Sequence, residues 1–173
     1  DFHSEMYTST EELDAYFADA KNQKPYLFCE YLHAMGNSCG DTEDYFKVME
    51  RHAGACGGFV WEWCNHSPYL PNSNRMGYGG DFNDKPNDGN FCADGLVTAD
   101  RQIQSNLLEY KNVYRPLRAT LKNGHVELKN YLDFTDAAEA ISIHYQITED
   151  FAVIQEGQID GLNIAPKSTS LLP

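Results

Sequence analysis

Glu30 and His33 stand three residues apart in a segment dense with reactive groups. Glu30-Tyr31-Leu32-His33-Ala34-Met35-Gly36-Asn37-Ser38 holds an acid, an imidazole, an amide and a flexible glycine within nine positions. The acid follows directly on Tyr26-Leu27-Phe28-Cys29, an apolar run that reads as a strand buried on both faces. A carboxylate at the C-terminal end of a strand in an α/β barrel projects where such folds carry out chemistry. From position alone, Glu30 reads first as an ordinary strand-end acid or ion-pair partner. Its company changes that reading, because an acid and an imidazole that reach one pocket can act on a bound substrate. Two further carboxylates invite the part of a second acid. Strand alternation would turn Glu62 away from Trp61 and Trp63, and Asp81 reads as a brace in a turn-rich loop.

The elements that must position these groups follow from the pattern around them. Ser9 and Glu12 have the spacing of a capping box, and Leu13, Tyr16 and Phe17 recur at helical spacing, so a helix is expected over 9–21. Asp41 or Thr42 can cap a second helix running to about His52, with Tyr45, Phe46, Val48 and Met49 inward. Gly57-Gly58 precedes a second strand, Phe59 to Trp63. A Gly-, Asn- and Pro-rich stretch over 65–95 has the length of a functional loop. A third helix, 105–114, stops before Pro116. The order helix–strand–helix–strand–helix predicts βα units and a parallel sheet, which two strands cannot complete alone.

The texture changes near residue 116. Strands over 117–121 and 125–132 flank Asn123-Gly124, a strong hairpin signal, and two more are expected over 140–147 and 152–159. The expected fold class is therefore α/β plus all-β. Residues 1–116 form the α/β part and 117–173 an antiparallel β-sandwich that is incomplete.

The 173 residues carry 13 basic and 26 acidic side chains, a formal charge of −13. No basic footprint for nucleic acid is visible, and an anionic membrane would repel the chain. No apolar run approaches the roughly 18 residues that span a bilayer. The start, DFHSEMYTSTEELD, lacks the basic and apolar regions of a signal peptide. Five cysteines, an odd number without C-x-x-C spacing, argue for a reducing compartment and against a disulfide framework or a zinc site.

Residues 29–38 match throughout the pattern C-E-Y-x-H-A-M-G-N-S. This segment closely resembles the nucleophile motif of the bacterial β-galactosidases in glycoside hydrolase family 2. The likeness continues through Gly57-Gly58-Phe59-Val60-Trp61-Glu62-Trp63, Tyr78-Gly79-Gly80-Asp81-Phe82, Pro86-Asn87-Asp88, Phe91-Cys92-Ala93-Asp94-Gly95-Leu96-Val97 and Ala99-Asp100-Arg101, in the family's order. It covers about residues 24–120 and weakens in the sandwich.

The resemblance implies the C-terminal portion of a (β/α)8 TIM barrel followed by a partial immunoglobulin-like β-sandwich. Asp1 through Tyr7 resemble the stretch just after the sixth barrel strand, so the chain would supply only the last two strands. The implied activity is that of a retaining β-galactosidase acting on terminal β-galactosides such as lactose, with Glu30 as nucleophile. His33, Trp61 and Asp94 would bind the sugar. Phe91, through its carbonyl, and Asp94 would hold a sodium ion, although the family's best-known pattern has Asn where this chain has Asp94. Asn87 would lie near a magnesium ion whose main ligands, like the acid/base Glu, are upstream. The implied partners are the galactoside and the remainder of a longer enzyme, itself a homo-oligomer, in the cytoplasm or alternatively the periplasm. This chain alone is expected to hydrolyse nothing. Two alternatives stand beside this reading: a β-glucuronidase or β-mannosidase of the same family, and a non-catalytic structural or binding module.

Overall fold

Three parallel strands carry the candidate site: β1 (His3–Met6), β2 (Tyr26–Tyr31) and β3 (Ala55–Val60), side by side in that order. The computed structural model describes residues 1–172. It divides into two units, Asp1–Tyr114 and a second beginning at Arg115.

In the first unit, helix α1 (Thr10–Ala18) joins β1 to β2, and α2 (Thr42–Arg51) joins β2 to β3. The α1 cap forms as its sequence dictates: Ser9 Oγ accepts from Glu12 N–H, and Glu12 receives the Ser9 N–H at 2.8 Å. Such a box contributes about 1 kcal/mol. The helix ends at Ala18 rather than near residue 21, because the Lys21 N–H turns back onto the Asp19 carboxylate. At α2, Asp41 occupies the cap position in a left-handed conformation, and its side chain makes no capping bond. Helix α3 (Ser105–Val113) closes the unit. Leu13, Tyr26, Phe28, Tyr31, Val48 and Leu96 are buried together where the helices cover the sheet. Each such side chain contributes about 1.5–3 kcal/mol.

Two strand expectations need correction. His3–Met6 is a strand, so the chain supplies three parallel strands rather than two. Its sequence, HSEM, has no apolar alternation, and the pairing rests on main-chain bonds such as His3 N–H to the Pro25 carbonyl at 2.9 Å. Strand β3 covers Ala55–Val60, not Phe59–Trp63. Gly58 lies inside it because it pairs with Phe28, where a Cβ would stand 2.6 Å from Phe28 Cβ. The three strands form an open sheet, and no closed barrel is present among the described residues.

In the second unit, β4 (Leu117–Lys122) and β5 (His125–Asn130) pair antiparallel through Asn123-Gly124, both at positive φ, as a tight hairpin turn requires. Strand β8 (Thr169–Leu171) adds to β5 and was not expected from the sequence. The strand expected over 140–147 is present as β6 (Ile143–Glu149), shifted toward the C-terminus because a short helix, α4 (Ala137–Ala140), takes its first residue. Asp136 caps that helix by accepting the Ala138 N–H at 2.9 Å, a local bond that the alternating apolar pattern conceals. Strand β6 pairs only with β7 (Ala152–Ile159). Leu128, Ala137 and Ile164 form this unit's own core.

Candidate active site

Because β1, β2 and β3 are parallel, their C-terminal ends share one edge of the sheet. Glu30 is the penultimate residue of β2, and Trp61 and Glu62 follow directly on β3. A register shift between Glu5 and Met6 sets Met6 opposite Glu30, and the next residue, Tyr7, donates its N–H to the Glu30 carbonyl at 2.9 Å. The Tyr7 phenol also lies near enough to the Glu30 carboxyl to be affected by it. Burial of the phenol, reinforced by the Glu30 carboxyl, raises its pKa far above the usual tyrosine value. The residue as a whole is half open to solvent.

His33 lies just beyond β2 and joins two aromatic rings. Its ring stacks on Phe91 at 5.4 Å and stands 6.0 Å from Tyr7. Its Nε2 is 3.6 Å from Asp94 Oδ2, too long for a hydrogen bond, and makes none among the described residues. Asp94 is 2% exposed. Its Oδ2 receives the Trp61 indole N–H at 3.0 Å, while Oδ1 accepts from no donor among the described residues. The same carboxylate also raises the Tyr7 pKa through its charge, which places Glu30, Tyr7, His33, Trp61 and Asp94 in one electrostatic neighbourhood.

Glu62 does not turn away from Trp61 as alternation predicted. Both residues lie past Val60, the last residue of the ladder, where a two-residue period no longer governs; the peptide joining them is cis. The Glu62 pKa is raised chiefly by burial, with His66 opposing the rise and Asp94 adding to it. His66 Nε2 is 3.1 Å from the Glu62 carboxylate. Asp81 is a brace: it pairs with Arg75 at 3.2 Å and accepts the Tyr78 N–H.

Asp94 Oδ1, buried and accepting from no donor among the described residues, is a hard oxygen of the kind sodium takes. Magnesium does not fit the described residues, which contain no group of three or more His, Cys, Asp or Glu able to hold a metal. Both polar ends of the Asn87 amide bond its own loop, at the Asp84 carbonyl and the Gly89 N–H.

Tyr7 is the residue that sequence reasoning missed. Its signal was faint, since it depends on recognising β1 and its register against β2. The five cysteines are all unpaired, and no helix among the described residues is long and apolar enough to cross a membrane.

Residues 1–119 match the family described as Glycosyl hydrolases family 2, TIM barrel domain. A β-galactosidase of Actinobacillus pleuropneumoniae is 53% identical over 173 residues, covering 100% of this chain and 17% of the relative. One of Staphylococcus xylosus is 39% identical over 153 residues, or 86% of this chain and 15% of the relative. One of Priestia megaterium is 33% identical over 178 residues, or 99% of this chain and 17% of the relative. The chain thus spans about 17% of the length of the relative it matches at 53% identity. With a family match across both the Glu30 segment and the strands that frame it, the chain belongs to the family 2 glycosyl hydrolases, in their TIM barrel domain.

Proposed function

We propose that this chain is part of a longer, retaining β-galactosidase, with Glu30 as the nucleophile toward terminal β-galactosides such as lactose. One observation carries the reading: Glu30, bonded to Tyr7, lies at the carboxyl end of a parallel sheet beside the His33, Trp61 and Asp94 cluster. Glu30 attacks the anomeric carbon as the glycosidic C–O bond breaks and the leaving oxygen takes a proton from a second carboxyl; water, giving its proton back to that carboxyl, then hydrolyses the glycosyl ester. The Tyr7 hydroxyl, near the Glu30 carboxyl, is placed to donate to it and hold the attacking oxygen in line. The Trp61 indole, fixed by its bond to Asp94, walls the sugar. His33 Nε2, without a bond of its own, is available to a sugar hydroxyl.

A retaining mechanism needs a second carboxyl about 5–5.5 Å from the first, and on this reading it comes from outside these 173 residues. So do the magnesium ligands, with Asn87 nearby, and the strands that close the barrel. Sodium, at Asp94 and the Phe91 carbonyl, would supply a fixed charge for a sugar hydroxyl. The β4–β8 unit belongs to an immunoglobulin-like sandwich of a cytoplasmic homo-oligomer.

A 2-deoxy-2-fluoro-galactoside tests the assignment in the full-length enzyme. The expected result is a stable adduct on the peptide bearing Glu30, and turnover of nitrophenyl β-galactoside far faster than of the glucuronide or mannoside. An adduct on another residue overturns the nucleophile, and a preference for another glycoside overturns the substrate. The 173-residue chain alone is expected to be inert.

A further inference from the structure

We propose that Asn106, on α3, is a positioning residue for the sugar pocket: its amide holds the Ala34 carbonyl and so fixes the turn that aims His33 beside Trp61. This rests on the assignment of His33 and Trp61 to the galactoside pocket.

The main chain ties the two pocket residues together from both sides. Trp61 N–H donates to the Tyr31 carbonyl at 3.0 Å, and Ala34 N–H donates to the Trp61 carbonyl at 2.7 Å. Residues 31–34 therefore form a turn that clasps the Trp61 backbone at its two ends. His33 lies within that turn. Its ring stacks on Phe91 at 5.4 Å, and its Nε2 makes no hydrogen bond among the described residues. The aim of the imidazole thus depends on the backbone that carries it.

That backbone is held against its own preference. Leu32 has a φ of 53°, in the left-handed region that leucine rarely adopts. A residue there persists only where its surroundings over-determine it. Two side chains grip the turn: the Cys39 thiol donates to the Leu32 carbonyl at 3.4 Å, and Asn106 Nδ2 donates to the Ala34 carbonyl at 3.2 Å. A thiol is a weak donor, so the amide is the stronger hold.

An asparagine near the start of a helix ordinarily caps it. Asn106 is the second residue of α3, and its amide instead reaches Ala34, 72 positions away in the chain. A carbonyl only accepts, so the nitrogen end of the amide faces Ala34. The oxygen end, buried, accepts from no donor among the described residues. What this side chain supplies is therefore the donor to the His33 turn.

The test is a double-mutant cycle in the full-length enzyme, with nitrophenyl β-galactoside as substrate. Asn106→Ala is expected to lower kcat/KM about tenfold, the scale of one hydrogen bond, with a melting temperature close to the parent's. Asn106→Asp keeps the shape but sets an acceptor against the carbonyl, and should lose at least as much. In the His33→Ala enzyme, adding Asn106→Ala should cost less than about twofold, because residues that act through one another are not additive. An alanine variant that fails to fold is replaced in the cycle by Asn106→Asp. Parent-like kcat/KM in both Asn106 variants overturns the proposal. The same loss with and without His33 overturns it in favour of a structural role. Absence of β-galactoside turnover in the parent, or turnover retained by Glu30→Gln, overturns the functional reading itself, and the inference falls with it.

Discussion

Tyr7 donates its N–H to the Glu30 carbonyl at 2.9 Å, and its phenol lies near the Glu30 carboxyl. The backbone bond extends the β1–β2 ladder, and the phenol is placed to donate to the proposed nucleophile. Because the Tyr7 pKa is raised, the donor proton stays in place well beyond neutral pH. Tyr7→Phe removes only the hydroxyl, and with it the proposed donor to Glu30. A hydrogen bond to a charged group is worth about 1.5–3 kcal/mol, so kcat should fall about 10- to 100-fold with little change in melting temperature. An unaltered kcat would show that the phenol does not act on Glu30.

Gly95 stands where no side chain fits. A Cβ there would meet Asn65 N at 2.2 Å and the Cys64 backbone at 2.4 and 2.5 Å. The same residue donates its N–H to Asn65 Oδ1 at 2.7 Å and accepts from Gln104 Nε2 at 2.6 Å. Gly95→Ala must push the 94–96 backbone away from Cys64, at about 1–3 kcal/mol or more. Thermal unfolding should drop by roughly 3–10 °C, and activity should fall further than stability alone explains, because Asp94 and Leu96 move. A melting temperature equal to the parent's would contradict the close approach.

Asn130 is fully buried in the second unit. Its amide donates to the carbonyls of Thr135 and Ile164, each at 2.9 Å, and its carbonyl accepts the Leu132 N–H at 2.9 Å. Asn130→Ala removes the partner of the Thr135 carbonyl and of the Leu132 N–H, while the Ile164 carbonyl keeps the Ala137 N–H at 3.0 Å, at roughly 1–3 kcal/mol in sum. Faster hydrogen exchange at the β4–β5 amides is the expected sign, and unchanged protection there would refute the bracing role.

Glu5 sets a small acid sensitivity. Its pKa lies below the ordinary 4.5, chiefly through the bond to His3 at 3.0 Å and then through the Thr8 and Tyr26 hydroxyls, against the opposing effect of burial. A folded pKa below the unfolded one means stability that is present above the ordinary value and lost as pH falls through the folded value. Half of the side chain is exposed, so the effect is modest. The melting-temperature gap between the parent and Glu5→Gln should therefore close as pH drops below about 4.5. A gap that widens on acidification would contradict the shift.

The sequence made β2, the three helices of the first unit and the Asn123-Gly124 hairpin legible, because each carries a local signal: an apolar run, a capping box, a proline stop or a turn dipeptide. Strand β1 was hidden because HSEM pairs through its main chain, and Tyr7 was hidden with it. Glu62 was misoriented because alternation was extended past Val60, where the ladder ends. Family likeness picked out Glu30, His33, Trp61 and Asp94, and the structure brings them close together. It could not reveal the contacts of Tyr7 or Glu62, which arise from register and from the path of the chain beyond a strand.

The slip between Glu5 and Met6 makes β1 a vernier for the site. Glu5 pairs with Phe28 and Met6 with Glu30, so the ladder passes over Cys29. Which side chain of the first segment arrives beside the acid is therefore decided by a count of residues rather than by shape. Lengthening or shortening the 1–6 segment by one residue would preserve a parallel ladder while delivering Met6 or Thr8 in place of the phenol. Natural or engineered variation in this segment's length is thus a way to change the group facing Glu30 without altering a single residue of β2.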